Sequence, residues 1–424
     1  MSLEAPSIIP SGEEPIGVEP EPPRVQLGAV GWIRANLVST WFNAVLTLVF
    51  GVFLAWVAYR ALAFVFVNAE WEIVRRNLRL FMVGRFPADE LWRPWASLYL
   101  AVAGLAFAAG AGGRLAAARA GEAGDDTGPD RGALLRRLWP LGLLIVVVMA
   151  FSETIAPVLL LLGAAVVAVG VGVAARRAPL TVARRWWLVA GLLLVAAVLV
   201  PIVGGGVGWE DWGGLQLTVF VTVVGILVAF PLGVLVALAR RSTLPALRWM
   251  ATSYIELFRG VPLVTLLIMS RFVLLFMFPT WLDPPGLLAR AMIVIILFEG
   301  AYIAEVVRGG LQSVPKGQVE AAYAVGLSVV KTTRRVVLPQ ALRAVIPAMV
   351  GQFISLFKDT SLLSILGFFE LVTVAGVVTA QPDFRAQGLD SITYAFIGFV
   401  YWVGCYTMSR ESQRLERRLG VGER

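Results

Sequence analysis

The sequence contains no histidine and only one cysteine among 424 residues. These absences exclude a histidine general base, a metal site made of cysteine and histidine, and a disulfide within the chain. The sequence also has no glycine-rich phosphate-binding loop of the form G-x-x-x-x-G-K-S/T, so we expect this chain not to bind ATP itself. No cofactor or metal is expected, and no paired carboxylates gather in one loop as a membrane-embedded enzyme would require.

Charged residues are also scarce, because they make up 15% of the chain whereas hydrophobic residues make up 58%. A soluble domain is roughly half apolar, and several runs here approach the ~20 apolar residues that cross a bilayer. The composition therefore predicts a membrane protein with several helical spans. The formal charge of +8 is explained by arginine-rich cytoplasmic loops, so no nucleic-acid partner is expected.

The first half of the chain is predicted to hold a tail and about five spans. Residues 1–38 begin with a segment rich in proline and glutamate and lack a signal-peptide pattern, which predicts a disordered, uncleaved cytoplasmic tail. A membrane extension follows at 39–203. Its expected parts are spans at 41–67, 94–112 and 186–203, a short hairpin at 139–175 that turns near Ser152, an interfacial helix between 69 and 95, and a polar loop at 114–138.

The second half has a firmer pattern and is predicted to form a five-span domain at 204–410, followed by a cytoplasmic tail at 411–424. The expected spans are 215–238, 261–278, 287–307, 345–375 and 392–408. Basic loops alternate with nearly neutral or acidic ones, and the positive-inside rule places the basic loops and the C-terminus in the cytoplasm. An even number of spans places the N-terminus there as well, although the arginines near position 76 argue against it. The expected fold is an all-α polytopic membrane protein with about ten spans.

One stretch interrupts these spans with small and basic residues. It reads "KGQVEAAYAVGLSVVKTTRRVVLPQA" and occupies residues 316–341. Pro315 suits the first turn of a short helix, and Gly326 suits the position just past its end. Ser328 then suits the cap of a second, basic helix at the headgroup level, and Pro339 is expected to redirect the chain into the next span.

Small residues keep the first of these helices thin. Ala321, Ala322 and Ala324 would let the surface of another protein approach its backbone closely, and Glu320 adds one charge. A second interpretation remains open at this point, in which the two helices form an amphipathic linker that rests on the membrane surface.

The stretch resembles the EAA loop of ABC importer permeases. The residues that carry the resemblance are Glu320, Ala321, Ala322, Gly326, Leu338 and Pro339. The stretches "IELFRGVPLVTLL", "LPQALRAVIPAMVGQFISLFKDTSLLSILG" and "MSRESQRLERRL" are similar to the polar amino acid branch, in particular to the larger permease subunit of general L-amino acid transporters. The resemblance is dense from about Gly213 to the end and thinner before it.

The resemblance implies a type I ABC importer permease core of five helices at 204–410, with an EAA coupling loop at 309–344 and the extension at 39–203 added in front. It implies a transport subunit of a heteromeric complex in the bacterial inner membrane, without enzymatic activity of its own. The implied partners are a sister permease subunit, cytoplasmic ATP-binding subunits, a periplasmic amino-acid-binding protein, membrane lipids and an L-amino acid substrate. The main alternative is a secondary amino acid transporter driven by an ion gradient, which would show repeated halves with broken spans in corresponding positions.

Several ionisable residues fall inside the predicted spans, where charges are costly and often functional. Lys358 and Asp359, followed by Thr360 and Ser361, interrupt an apolar run. They are interpreted either as a helix break held by polar contacts or as part of the lining of the translocation path.

Arg271 and Glu299 lie in two successive spans that run antiparallel. Counting residues outward from the turn near Asp283 along each span places the two side chains within about one or two helical turns of the same depth in the membrane. They are therefore predicted to form an ion pair, and the alternative is that Arg271 faces the substrate's carboxylate while Glu299 faces its ammonium. Glu305 and Arg308, one turn apart, are predicted to pair locally. Arg259 is interpreted as a headgroup anchor.

Overall fold

The structure is a computed structural model that describes residues 28–119, 131–200, 206–279, 283–385 and 388–419, together with Ile202 and Trp281. Within these residues it is helical throughout and contains no β-strand, only two isolated β-bridges. Six of the described helical segments are long and apolar enough to cross a membrane. The predicted all-α polytopic fold is confirmed.

The chain divides into two compact units, and the first comprises residues 1–69. Its described part consists of α1 (Ala29–Asn36), α2 (Trp41–Ala63) and a π-helical turn (Phe64–Asn68) that prolongs α2, in agreement with the span predicted at 41–67. Most of the predicted disordered tail, residues 1–27, lies outside the described residues. The prediction of disorder is wrong for α1, whose apolar residues set it apart from the proline- and glutamate-rich start of the chain.

The second unit begins at Glu70 and opens with the rest of the predicted extension. Its helices are α3 (Glu72–Val83), α4 (Trp92–Arg119), α5 (Arg131–Phe151), α6 (Ala156–Arg177), α7 (Leu180–Arg184) and α8 (Trp186–Leu199). The predicted hairpin is confirmed, since the helix breaks between α5 and α6 and Ser152 Oγ donates to the carbonyl oxygen of Thr154 at 2.7 Å. The polar loop is shorter than predicted at both ends, and residues 120–130 lie outside the described residues.

Helix α4 packs along both α6 and α8. Small residues allow this close approach, since the backbone of Gly110 lies against that of Gly172. Tyr99 Oη donates to the carbonyl oxygen of Leu160 at 2.7 Å, and Ser97 Oγ donates to that of Ala197. These three helices therefore form one packed group within the extension.

Helix α3 is the predicted interfacial helix, but it also packs against the second half of the chain. Its buried face includes Ile73 and Phe81, and the ring of Phe81 lies edge-on to that of Phe396 at 5.0 Å. The side chain of Asn77 accepts a hydrogen bond from Gln381 Nε2 at 2.8 Å. The sequence pattern did not indicate that this short helix fastens the extension to the rest of the unit.

The second half of the chain forms the helices that carry the candidate site. They are α9 (Gly214–Arg240), α10 (Pro245–Gly260), α11 (Leu263–Phe272), α12 (Leu287–Ser313), α13 (Lys316–Ala324), α14 (Val329–Thr332), α15 (Leu338–Asp359), α16 (Leu371–Thr379) and α17 (Asp390–Leu419). Helix α12 packs extensively on α9 and α15. One apolar core lies at its N-terminal end, around Leu288 and Ile295, and another at its C-terminal end, around Ile303 and Val307.

Two predicted spans are not continuous helices. The segment predicted at 261–278 is a helix of only 10 residues, α11, followed by a 3₁₀ turn at Leu274–Met277. Arg290 Nη1 donates at 3.2 Å to the carbonyl oxygens of Ser270 and Arg271, which satisfies carbonyl groups at the end of α11. The amphipathic helix α10 that precedes α11 was not predicted.

The segment predicted at 345–375 breaks after α15. A 3₁₀ helix at Thr360–Leu366 leads to Gly367, whose φ of +83° ends it, and α16 then starts after Glu370. The carboxylate of Glu370 accepts hydrogen bonds at 2.8 Å from the backbone N–H groups of Val372 and Thr373. This cap fixes a new helix start where the hydropathy pattern indicates an uninterrupted span.

Candidate functional site

The EAA loop, residues 309–344, forms two short helices that leave the C-terminal end of α12. The first, α13, begins after Pro315 and ends at a left-handed residue, Gly326, with a φ of +79°. The backbone N–H of Gly326 donates to the carbonyl oxygen of Tyr323 at 2.9 Å, and that of Leu327 donates to Ala322 at 3.1 Å. These two bonds form a Schellman motif, which confirms the predicted helix end at this glycine.

The second helix, α14, begins at the position predicted for its cap but continues differently. The side chain of Ser328 makes no capping hydrogen bond, although its carbonyl oxygen accepts from the N–H of Thr332 at 2.8 Å. A π-helical turn at Thr333–Val337 then joins α14 directly to α15, with Pro339 in the first turn of α15. Helical structure is therefore continuous across Pro339, and the expectation that this proline changes the direction of the chain stays a prediction.

The EAA residues divide into an anchored group and an exposed group. Ala322 is only 5% exposed, and Leu338 packs against the core at the C-terminal end of α12. The prediction that Ala322 offers its face to another protein is therefore wrong, since that face is covered by this chain. Glu320, Ala321 and Gly326 are exposed, as is Pro339.

Large apolar side chains surround the exposed group. Tyr323, Val325, Val329 and Val330 are 46%, 76%, 65% and 74% exposed and lie within eight residues of one another in the sequence. Exposed apolar clusters rimmed by polar residues mark protein or membrane interaction sites. Glu320 makes no ion pair with any other residue in the described part of the chain, so its charge is available to a partner.

A cluster of charges lies around Glu305 of α12, about one turn before the EAA loop. Glu305 accepts from Arg308 Nε at 3.0 Å, which confirms the predicted local pair. It also pairs with Arg240 on α9 at 2.9 Å and lies 3.9 Å from Arg259 on α10. This four-residue group, the Glu305 cluster, joins three helices. The sequence did not predict its two additional arginines, and the role of Arg259 as a headgroup anchor stays a prediction.

The ion pair predicted between Arg271 and Glu299 is absent from the described residues. Arg271 Nη1 donates instead to the carbonyl oxygen of Leu366 at 2.5 Å. The backbone of Arg271 is level with Arg290, nine residues before Glu299 and thus about 14 Å away along α12. The prediction failed because it treated residues 261–278 as one continuous span, whereas α11 ends at Phe272 and a 3₁₀ turn follows at Leu274–Met277.

Glu299 is buried within the bundle, with 3% of its surface exposed. It forms no hydrogen bond or ion pair with a residue that the structure describes, but it lies close enough to Asp359 for their charges to interact. Asp359 receives a long hydrogen bond of 3.5 Å from Ser355 Oγ. The two carboxylates, from α12 and α15, therefore face a common region of the bundle.

The remaining residues predicted for the substrate path lie at the break between α15 and the 3₁₀ helix. Lys358 is exposed and Ser361 is half-buried, whereas Thr360 is fully buried and its Oγ1 donates to the carbonyl oxygen of Phe357 at 2.7 Å. This arrangement agrees with the interpretation of a helix break held by polar contacts. A role in lining the path stays a prediction.

In the second half of the chain, sequence reasoning missed the buried charged residues Arg290 and Glu370. Arg290 is 8% exposed and Glu370 is fully buried. The signal for Arg290 is a lone arginine at the start of an apolar run. The signal for Glu370 is a carboxylate three residues before a threonine, which suits a helix N-cap. The apolar residues on both sides of it obscured this signal.

Comparison with known proteins points to one family over most of the chain. Residues 229–421 match the family described as "Binding-protein-dependent transport system inner membrane component". The chain is 35% identical over 412 residues to the inner membrane amino-acid ABC transporter permease protein YhdY of Escherichia coli, covering 93% of this chain and 94% of that protein. It is 33% identical over 447 residues to the glutamate/glutamine/aspartate/asparagine transport system permease protein BztC of Rhodobacter capsulatus, covering 94% and 95%.

A shorter relative matches about half of the chain. The L-cystine transport system permease protein TcyB of Bacillus subtilis is 38% identical over 212 residues, which is 49% of this chain and 85% of that protein.

Proposed function

Because this chain belongs to the amino-acid ABC transporter permeases, we propose that it is the membrane subunit of an ATP-driven, binding-protein-dependent importer of polar L-amino acids. It pairs with a sister permease in the bacterial inner membrane, with both termini in the cytoplasm. Separate cytoplasmic subunits hydrolyse ATP, and a periplasmic binding protein delivers the amino acid. An ion-gradient-driven transporter, the alternative left open by the sequence, is not favoured by this membership.

The observation that carries this proposal is the exposed surface formed by Glu320, Ala321 and Gly326 with the four exposed apolar side chains around them, here called the EAA surface. Glu320 lies unpaired beside four exposed apolar side chains, which is the composition expected of a docking surface rather than of a free loop. We propose that the ATPase binds here through Glu320, Ala321 and Gly326. Ala322 and Leu338 support the surface by packing α13 and the start of α15 against the core. Pro339 lies exposed in the first turn of α15.

The Glu305 cluster supplies a mechanical connection from this surface into the membrane. It ties α12, which leads into the EAA loop, to α9 and α10. A movement of α13 caused by ATP binding would therefore be carried to three helices together. The buried carboxylate Glu299 and the half-buried Asp359 lie in that bundle and suit the ammonium group of an amino acid in transit.

The substrate path is proposed to run between Arg271 and the α15 break. Arg271 lies at the end of the 3₁₀ helix that begins at Thr360, and Lys358 to Ser361 lie at its start. The seven residues of this helix span about 14 Å. Positive and negative groups are thus distributed along one segment, as a zwitterionic substrate requires.

The test is uptake of a panel of labelled L-amino acids into proteoliposomes that contain this chain, its sister permease and its ATPase. Binding protein is supplied outside and ATP inside. We expect uptake to need both, and we expect Glu320→Arg to abolish it by placing a like charge against the basic or polar groups of the ATPase. Gln318→Arg is the matched control, since Gln318 is also exposed on α13 but lies two residues away, on another side of the helix.

Two results would contradict the proposal. Uptake driven by an ion gradient without ATP would exclude an ABC importer. Equal uptake by wild type and Glu320→Arg, at equal amounts of inserted protein, would exclude the EAA surface as the coupling site.

A further inference from the structure

A cavity of about 340 Å³ lies at the N-terminal end of α12, at the opposite end of that helix from the EAA loop. With 27 residues at 1.5 Å each, α12 separates the two by about 40 Å. The volume is at the lower end of the range for small-molecule sites. The cavity therefore lies on the face that the proposed orientation assigns to the periplasm and is large enough for an amino acid.

Two oppositely charged side chains line this cavity, Arg85 from the chain after α3 and Glu210 from the chain before α9. Neither forms an ion pair with the other or with any further residue among those the structure describes. Both are exposed, so their charges remain free to meet a ligand from solvent. A cation and an anion that share a cavity without pairing match the carboxylate and ammonium groups of a zwitterion.

The rest of the lining is apolar and partly aromatic. Trp209, Phe368 and Phe369 lie around the cavity, and the guanidinium carbon of Arg85 lies 4.3 Å from the ring centre of Phe369. This cation–π contact holds the arginine head against the cavity wall. Leu287 and Leu288, in the first turn of α12, complete one side.

The backbone fixes the charged residues in place. Gly84 forms an antiparallel bridge with Trp212, and Gly213 forms a parallel bridge with Phe369. The N–H of Gly214 donates to the carbonyl oxygen of Phe369 at 2.8 Å. Arg85 and Glu210 lie one and two residues from Gly84 and Trp212, so the bridge between those two residues holds their backbone segments side by side at the cavity.

The cavity also adjoins the proposed substrate path. Its lining includes Leu366, and the carbonyl oxygen of Leu366 accepts the hydrogen bond from Arg271. A ligand in the cavity would lie at one end of the 3₁₀ helix whose other end carries Thr360. The three residues that give the cavity its charge and much of its aromatic surface, Arg85, Trp209 and Glu210, lie outside the family match at 229–421.

We propose that this cavity is an outer binding site for the free α-amino acid, in which Arg85 binds the carboxylate and Glu210 binds the ammonium. The proposal rests on the proposed function, and it gives the extension a direct part in handling the substrate. The amino acid released from the binding protein occupies the cavity before it enters the path beside Arg271.

The test is equilibrium binding of labelled L-glutamine, L-glutamate and L-lysine to the complete permease–ATPase complex in nanodiscs, without binding protein. We expect Arg85→Gln and Glu210→Gln each to weaken binding about tenfold or more, because each removes a charged hydrogen-bond partner. Asp89→Asn is the matched control, because Asp89 is exposed on the turn after Arg85 but does not line the cavity.

Blocked ligands distinguish a direct contact from a structural effect. Wild type should prefer L-glutamine over its α-carboxamide, and Arg85→Gln should lose that preference. Wild type should also bind L-glutamine more tightly than its N-acetyl form, and Glu210→Gln should lose this second preference. A variant that only loosened the fold would weaken the binding of L-glutamine, its α-carboxamide and its N-acetyl form equally. That result would overturn the assignment.

Three further results would overturn the proposal. The first is that wild type shows no saturable binding of the amino acid, and the second is that both variants bind it as wild type does. The third is that the variants bind the amino acid normally but need a higher concentration of binding protein for half-maximal uptake. The last would make the cavity a docking site for the binding protein. If wild type shows no uptake that depends on ATP and on the binding protein, that separate outcome refutes the proposed function itself.

Discussion

Gly214 is a position where α3 and α9 approach closely, and its replacement tests how α3 is fastened to the rest of the unit. Its φ is +54°, in the left-handed region that favours glycine. A Cβ there would lie 2.7 Å from the carbonyl oxygen of Leu80 and closer still to that of Phe81. Both obstacles are backbone atoms of α3, so Gly214→Ala must push α3 away from α9.

The magnitude can be worked out from two contributions. A left-handed alanine costs roughly 1 to 2 kcal/mol, and overpacking of a close contact costs roughly 1 to 3 kcal/mol. Gly206→Ala is the matched control, since Gly206 has a φ of +81° but no described atom within 4 Å of its added Cβ. It carries the first cost alone.

The assay is thermal unfolding of the purified complex in detergent, followed by tryptophan fluorescence. At about 2 °C for each kcal/mol, we expect Gly214→Ala to lower Tm by about 4 to 10 °C and Gly206→Ala by about 2 to 4 °C. Trp212, which is 2% exposed, lies next to the affected backbone and should report the change. Equal shifts for the two variants would refute the close contact between α3 and α9.

Three other predictions follow from buried or clustered charges. Glu305→Gln should lower stability by about 1 to 2 kcal/mol and more than Arg308→Gln does, because it leaves three arginines without their common partner; equal Tm values in detergent for the two variants would contradict the cluster. Glu370→Ala should cost about 2 kcal/mol by uncapping α16, with Glu370→Gln less affected, and reversal of that order of Tm would refute the cap. Because Arg271 and Glu299 do not pair, the effects of Arg271→Ala and Glu299→Ala on the half-saturating substrate concentration for uptake should add within about 0.5 kcal/mol; a double variant that behaves like wild type would show that they do pair.

Local rules predicted the EAA loop well where a single residue type has one dominant use. Gly326 follows a run of small residues and ends α13 in the left-handed conformation, as its position indicated. The turn at Ser152 was predicted for the same reason, since polar residues interrupt an apolar stretch of fixed length. The direction in which Ala322 faces could not be predicted, because an exposed and a buried alanine have the same sequence pattern.

Charged contacts between spans were predicted poorly because they depend on depth and rotation as well as on sequence distance. The Glu305–Arg308 pair lies on one helix, where spacing determines contact, and was predicted correctly. Arg240 reaches the same carboxylate from 65 residues away, and no local pattern indicates that. Arg271 was placed at the wrong depth because the α-helix ends at Phe272 and a tighter 3₁₀ turn follows it.

The cavity that Arg85 of the extension shares with Glu210 of the second half was also invisible in the sequence. Arg85 and Glu210 are 125 positions apart, and each follows ordinary loop residues. The two β-bridges that bring them to one cavity depend on glycines whose close contacts appear only in the folded chain.

Site-specific crosslinking tests the central claim, that the EAA surface binds the ATPase, most directly. Cys405 is the single cysteine, so a Cys405→Ala chain allows one probe to be placed without ambiguity. A photo-crosslinker attached at Val325→Cys should join this chain to the ATP-binding subunit in the assembled complex, and the same probe at Asp89→Cys, at the far end of the bundle, should not. A complex that hydrolyses ATP and takes up amino acid but gives no crosslink from Val325→Cys would contradict the account.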